Sequence, residues 1–85
     1  MGAPRRTTPR QRSTVPALTS IGATIADRRR GLNLTQQTLS DLSGVSRSTV
    51  QALEYGSGSI RLEALTAVAE VLGLHIGVLR PGQAR

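Results

Sequence analysis

LTQQTLSDLSGVSRSTVQALE, residues 34–54, carries two short helical patterns hinged at Ser43-Gly44-Val45. Thr35 and Ser46 each stand one residue before a run of helix-compatible positions, where a side-chain oxygen can accept a hydrogen bond from an unpaired N–H of the first turn. Two such caps mark two helix starts. Leu39 and Leu42 lie three apart on the first helix, Val50 and Leu53 three apart on the second, and Leu34 and Val45 flank the pattern. The apolar faces are therefore expected to converge on one small core. Gly44 supplies the left-handed residue that closes the first helix.

A three-residue turn containing glycine between two crossed helices is the form of a helix-turn-helix. With the apolar positions facing inward, Gln36, Gln37, Arg47, Ser48, Thr49 and Gln51 point outward near the two helix starts, where backbone N–H groups favour phosphate. Such a set of amide, hydroxyl and cationic side chains is suited to phosphates and base edges, with Arg preferring guanine and Gln preferring adenine. Sequence-directed binding of double-stranded DNA is the expectation.

Working outward, an earlier helix is expected to start near Leu18 to Ser20 and end before Gly31, with Ile21, Ile25 and either Arg28 or Arg29 on its inner stripe. A last helix runs from Arg61 or Leu62 to Leu72, with Leu62, Leu65, Val68, Ala69 and Leu72 at three-and-four spacing and Gly73 as its stop. Tyr55 to Ser59 is the loop between. After Gly73 the period changes to two: Leu74, Ile76 and Val78 alternate with His75, Gly77 and Leu79 until Arg80-Pro81-Gly82, the pattern of a short strand. That strand has no mate in the chain, and the same strand of a second copy is the simplest one. Two-fold pairing also suits a homodimer reading a palindromic operator.

The expected fold is all-α, four to five small helices with a C-terminal strand paired across a dimer. Residues 1–16, rich in Arg, Pro, Thr and Ser, form a disordered arm, 17–73 the DNA-binding domain, 74–79 the dimerisation strand carrying Leu74, Ile76 and Val78, and 80–85 a tail. The arm is open to two readings, a solvated tail or a DNA-contacting arm.

Composition agrees. A chain of 85 residues allows one small domain, and with 38% hydrophobic residues, one Tyr and no Phe or Trp, the core must be aliphatic. The same lack of aromatics removes the stacking platform that single-stranded nucleic acids need. Every basic residue is Arg, and the net charge is +6, so a polyanionic partner fits. Arg5, Arg6, Arg10 and Arg12 lie in a stretch without acids, which leaves the rest only modestly basic. The run Arg28-Arg29-Arg30 reads first as a solvated face, with phosphate contact by Arg28 or Arg30 as the alternative.

The absence of Cys excludes disulfide and thiolate chemistry. No apolar run approaches the ~18 residues that span a bilayer, and the N-terminus lacks a signal-like apolar stretch, so a cytoplasmic protein is expected. His75 has no Cys or clustered carboxylate to share a metal and reads as a surface or dimer-interface residue. The turn at Gly56 to Ser59 is too short for a nucleotide-binding fingerprint. With no catalytic Cys, no His beside a positioned carboxylate and no metal set, neither enzyme activity nor a cofactor is expected.

The stretches LTQQTLSDLSGVSRSTV, ALEYG and LEALTAVAEVLGL make Gly31 to Gly73 resemble the lambda-repressor-like helix-turn-helix of the XRE family. The alternating segment that follows resembles the HipB type of antitoxin. The resemblance implies that Gln36 bonds a phosphate and that Ser46, Arg47, Ser48, Thr49 and Gln51 lie on or beside the recognition helix, with Arg47 the first choice for base readout. It also implies a structural ion pair between Arg29 and Glu54. Two functions follow as expectations: a homodimeric repressor that is the DNA-binding antitoxin of a toxin protein, a HipA-like kinase, or a stand-alone XRE-family repressor with no toxin.

Overall fold

The computed structural model describes residues 13–82, so most of the expected arm and the end of the tail lie outside the described residues. Four helices follow one another: α1 (Pro16–Gly31), α2 (Gln36–Ser43), α3 (Arg47–Tyr55) and α4 (Leu62–Val71). No strand occurs among the described residues, in keeping with a small all-α domain.

The caps form where the sequence puts them. The Thr35 hydroxyl accepts from Thr38 N–H at 3.0 Å and the Ser46 hydroxyl from Thr49 N–H at 3.2 Å, satisfying donors that the first turn leaves unpaired. Gly44 closes α2 with φ +75°. Helix α1 begins earlier than expected because Pro16 stands in its first turn, where its fixed φ and missing N–H cost nothing. It also runs through Gly31, and Asn33 takes the left-handed conformation instead.

The core is aliphatic. Leu39, Val50, Val68 and Leu72 are fully buried, Ile25 and Leu53 nearly so, and Leu34, Val45, Ile60, Leu65, Val71 and Leu74 pack around them. Each fully buried side chain of this size contributes about 1.5–3 kcal/mol over its exposed state. From α1 the inward residues are Gly22, Ile25, Ala26 and Arg29, which decides between Arg28 and Arg29 in favour of the latter.

Three expected core residues are misplaced by the sequence reading. Leu42 is 61% exposed because the inner face of α2 runs through Leu39, Ser40 and the half-buried Gln36 and Ser43, the i, i+3, i+4, i+7 stripe. The serines are tolerated there because they bond the turn: Ser40 Oγ donates to Val45 O at 2.6 Å and Ser43 Oγ accepts from Val45 N–H at 3.2 Å. Leu62, first residue of α4, is exposed, and Ile21 stands at the edge of α1's buried stripe.

Residues 74–80 are the other correction: they carry no regular secondary structure. A strand needs an adjacent edge for its N–H and C=O groups, and the described residues supply none. Leu74 N–H donates instead to Ala69 O at 2.9 Å, folding the segment back over the end of α4. Leu74 is half-buried on the core, while Ile76, Val78 and Leu79 are exposed.

Candidate nucleic-acid interface

Each short helix of the pair is fixed by its cap, its left-handed stop and one inward face, and apart from Leu42 on α2 and Tyr55 at the end of α3 the exposed side chains are polar. On α3, Arg47 and Ser48 are exposed and Thr49 and Gln51 half-buried, all in the two turns after the Ser46 cap. Ser46 Oγ also bonds Thr49 Oγ1 at 2.9 Å and lies 3.3 Å from Ser48 Oγ. The start of α3 is thus a hydroxyl cluster beside a guanidinium, at the end of the helix whose N–H groups and dipole favour anions.

Ser48 and Thr49 line a shallow groove with Val45, Ala52, Arg61 and Ala64, between α3 and the first turns of α4. Arg61, the N-cap of α4, is exposed there and adds a second guanidinium to this side of the domain. The helix-turn-helix pattern of residues 34–54 does not reach Arg61, although an Arg after a Gly/Ser turn at a helix start is a legible signal for it.

On α2, Gln37 is exposed and its amide donates to Asp41 Oδ1 at 2.9 Å, one turn on. Gln36 departs from the outward-pointing expectation: it is half-buried, and its Nε2 donates to Glu54 Oε1 at 3.0 Å. Among the residues implied by the family pattern, Gln36 is therefore joined to the ion pair.

Arg29 and Glu54 make that pair with fork geometry, Nε to Oε2 at 2.6 Å and Nη2 to Oε1 at 3.1 Å. Arg29 Nη1 donates to Leu34 O at 2.7 Å, tying α1, the α1–α2 turn and α3 together. The side chains are only 11% and 6% exposed, so each charge depends on the other. The hydrogen bond to Glu54 holds the Arg29 guanidinium above its usual pKa, against the opposing effect of burial.

The other two arginines of the run divide differently. Arg28 Nε donates to Leu72 O at 2.9 Å and so caps the C-terminus of α4, a structural task. Arg30 is exposed and pairs loosely with Asp27 at 3.5 Å on its own helix. Among the described residues no cluster of His, Cys, Asp or Glu could hold a metal ion, and no helix is long and apolar enough to cross a membrane.

Known proteins bear on this geometry. Residues 25–79, more than half of the chain, match the family described as Helix-turn-helix (HTH_3). The crystal structure of the restriction-modification controller protein C.AhdI from Aeromonas hydrophila superposes with a TM-score of 0.64 at 30% identity, covering 71% of this chain and 91% of that one. No curated protein matches the sequence. A capped polar helix held across an aliphatic core from its partner helix, in a chain that matches the family over residues 25–79, is a DNA-binding unit of a transcriptional regulator rather than an enzyme, and the protein belongs to the helix-turn-helix family of the XRE class.

Proposed function

We propose that the protein binds a palindromic operator as a homodimer and regulates transcription by occupying a promoter, its own included. The observation that carries this is the outer face of α3, where Arg47, Ser48, Thr49 and Gln51 follow the Ser46 cap on a helix whose opposite face is buried. Two such helices enter successive major grooves with half-site centres roughly 34 Å apart, as for this motif in general. Arg47, Ser48, Thr49 and Gln51 read base edges. Gln36, Gln37 and Ser46 contact phosphates together with Arg61, which fixes the register.

Dimerisation through the segment after Gly73 is supported by its apolar side chains: Ile76, Val78 and Leu79 are exposed among the described residues, and Ile76 lines a groove with Ile21, Leu65 and Leu74. A second copy buries them and provides the edge that turns the segment into a strand. Phosphate contact by the Arg-rich stretch before Ser13 belongs to the same reading; Ser13 itself donates its N–H to the carbonyl of Gly56, the C-cap of α3, at 2.8 Å. The site of action is the DNA of the cytoplasm.

Between the two regulatory roles, the stand-alone regulator has the better support. The superposable protein is itself a restriction-modification controller, at 30% identity over 71% of this chain. An antitoxin would in addition hold a toxin kinase, and co-purification with the product of a neighbouring gene tests for it.

The deciding experiment is quantitative binding to the DNA upstream of the protein's own gene and to scrambled DNA of equal length, at two salt concentrations. Preference for the upstream DNA by ~10³ or more that survives higher salt is expected. Equal, salt-labile binding to both would reduce the protein to a general phosphate binder.

A further inference from the structure

We propose that Glu54 is a positioning residue for DNA contact, acting through Gln36, so that the buried ion pair of the fold also sets the aim of a phosphate donor on its surface. The proposal rests on the reading of Gln36 as a phosphate contact given above.

The Glu54 carboxylate accepts three N–H bonds: Arg29 Nε on Oε2, and Arg29 Nη2 and Gln36 Nε2 on Oε1. Both of its oxygens accept from the Arg29 guanidinium, so the glutamine must turn its nitrogen toward them; the flipped amide would set two acceptors against each other. A primary amide nitrogen carries two hydrogens. With one committed to Glu54, the second is held in the amide plane and directed away from the carboxylate. Gln36 is half-buried and stands in the first turn of α2 behind the Thr35 cap, where the unpaired N–H groups of the turn also favour an anion.

An exposed glutamine free to rotate offers a phosphate its oxygen as readily as its nitrogen and must be ordered on binding. Here the ordering is done in advance by a charge held in place by Arg29, itself bonded to Leu34 O. The chain Leu34 O, Arg29, Glu54, Gln36 therefore links the α1–α2 turn, α1, the end of α3 and the start of α2. Movement of α3 against α2 would alter the aim of Gln36.

The test is a double-mutant cycle on a short duplex selected by the wild-type protein from random sequence, with affinities corrected for the folded fraction read from thermal melts. Gln36→Leu is expected to weaken binding about tenfold, the loss of one hydrogen bond to a charged group. Glu54→Gln is expected to weaken binding several-fold in the wild-type background and not at all in the Gln36→Leu background. Independent, multiplying losses would assign Glu54 to folding alone and overturn the proposal while leaving the Gln36 contact intact. No loss from Gln36→Leu would instead remove the phosphate reading beneath it.

If Glu54→Gln does not fold, the two Nε2 protons of Gln36 decide by nuclear magnetic resonance in the wild-type protein. One is expected to exchange slowly in the free protein and to keep its resonance on adding the duplex, while the other shifts. Two fast-exchanging protons in the free protein would overturn the proposal.

Discussion

Gly22 on α1 lies against the last turn of α3 so closely that a β-carbon added to it would stand 2.5 Å from the carbonyl oxygen of Leu53 and 2.7 Å from that of Glu54. Both obstacles are backbone, so neither can swing aside. An alanine in a helix interior ordinarily stabilises by about 0.5–1 kcal/mol over glycine. Here the contact reverses the sign. Gly22→Ala is expected to lower stability by about 1–3 kcal/mol, the usual range for overpacking, as a shift of the denaturation midpoint with unchanged slope. A stabilised variant would show that α1 and α3 separate freely.

Arg29→Met removes the partner of a carboxylate that is 6% exposed and is expected to cost about 3–5 kcal/mol. Replacing both members, Arg29→Met with Glu54→Leu, is expected to recover most of the loss, because no buried charge then remains. Chemical denaturation of the three proteins checks both statements. A pH effect follows with a definite sign. The folded state raises the Arg29 pKa, so its contribution is fully present below the unfolded value and is lost only as pH rises through the folded one. Deprotonation of Arg29 should therefore produce no stability change across the neutral range.

The caps, the left-handed stop at Gly44 and the aliphatic core were legible because each depends on one residue type at one spacing: Thr35, Ser46, Gly44, Leu39, Val50, Leu53. What the sequence hid was relational. Leu42 has the right hydrophobicity and the wrong azimuth, and only the bonds of Ser40 and Ser43 to the turn reveal that serines take the inner face. Gly22 reads as a weak helix residue until Leu53 stands opposite it. The alternation from Leu74 to Leu79 signals strand potential, but a strand requires an edge that the described residues do not contain. In the same way Gln36 reads as a surface amide, and its partner lies eighteen residues on, at the end of another helix.

Ile76 and Val78 allow the proposed dimer to be tested without harm to the fold, since both are exposed in the single chain. A chain cut at Gly73 would also remove Leu74 from the core and its N–H from the end of α4, confounding assembly with stability. Ile76→Glu with Val78→Glu is expected to leave the thermal melt of the monomer unaltered and to convert a sedimenting dimer into a monomer. A variant that still sediments as a dimer would place the interface on the helices.

Arg47 occupies the first helical position of α3, exposed, next to the Ser46 hydroxyl cluster. A side chain there has no packing task, so its loss should leave the fold intact and fall wholly on DNA. If it bonds a guanine edge, Arg47→Ala costs roughly 1–3 kcal/mol on the selected site and relaxes the preference at one base pair, with little change on random DNA. If it bonds only phosphate, the loss is equal on both duplexes and the salt dependence becomes shallower by about 0.9 in the logarithmic slope. The neighbouring Ser48, Thr49 and Gln51 present shorter or half-buried groups, which leaves Arg47 the longest reach on this helix. The specific outcome is therefore expected, and competition between the selected and random duplexes, measured at two salt concentrations, separates it from the phosphate-only one.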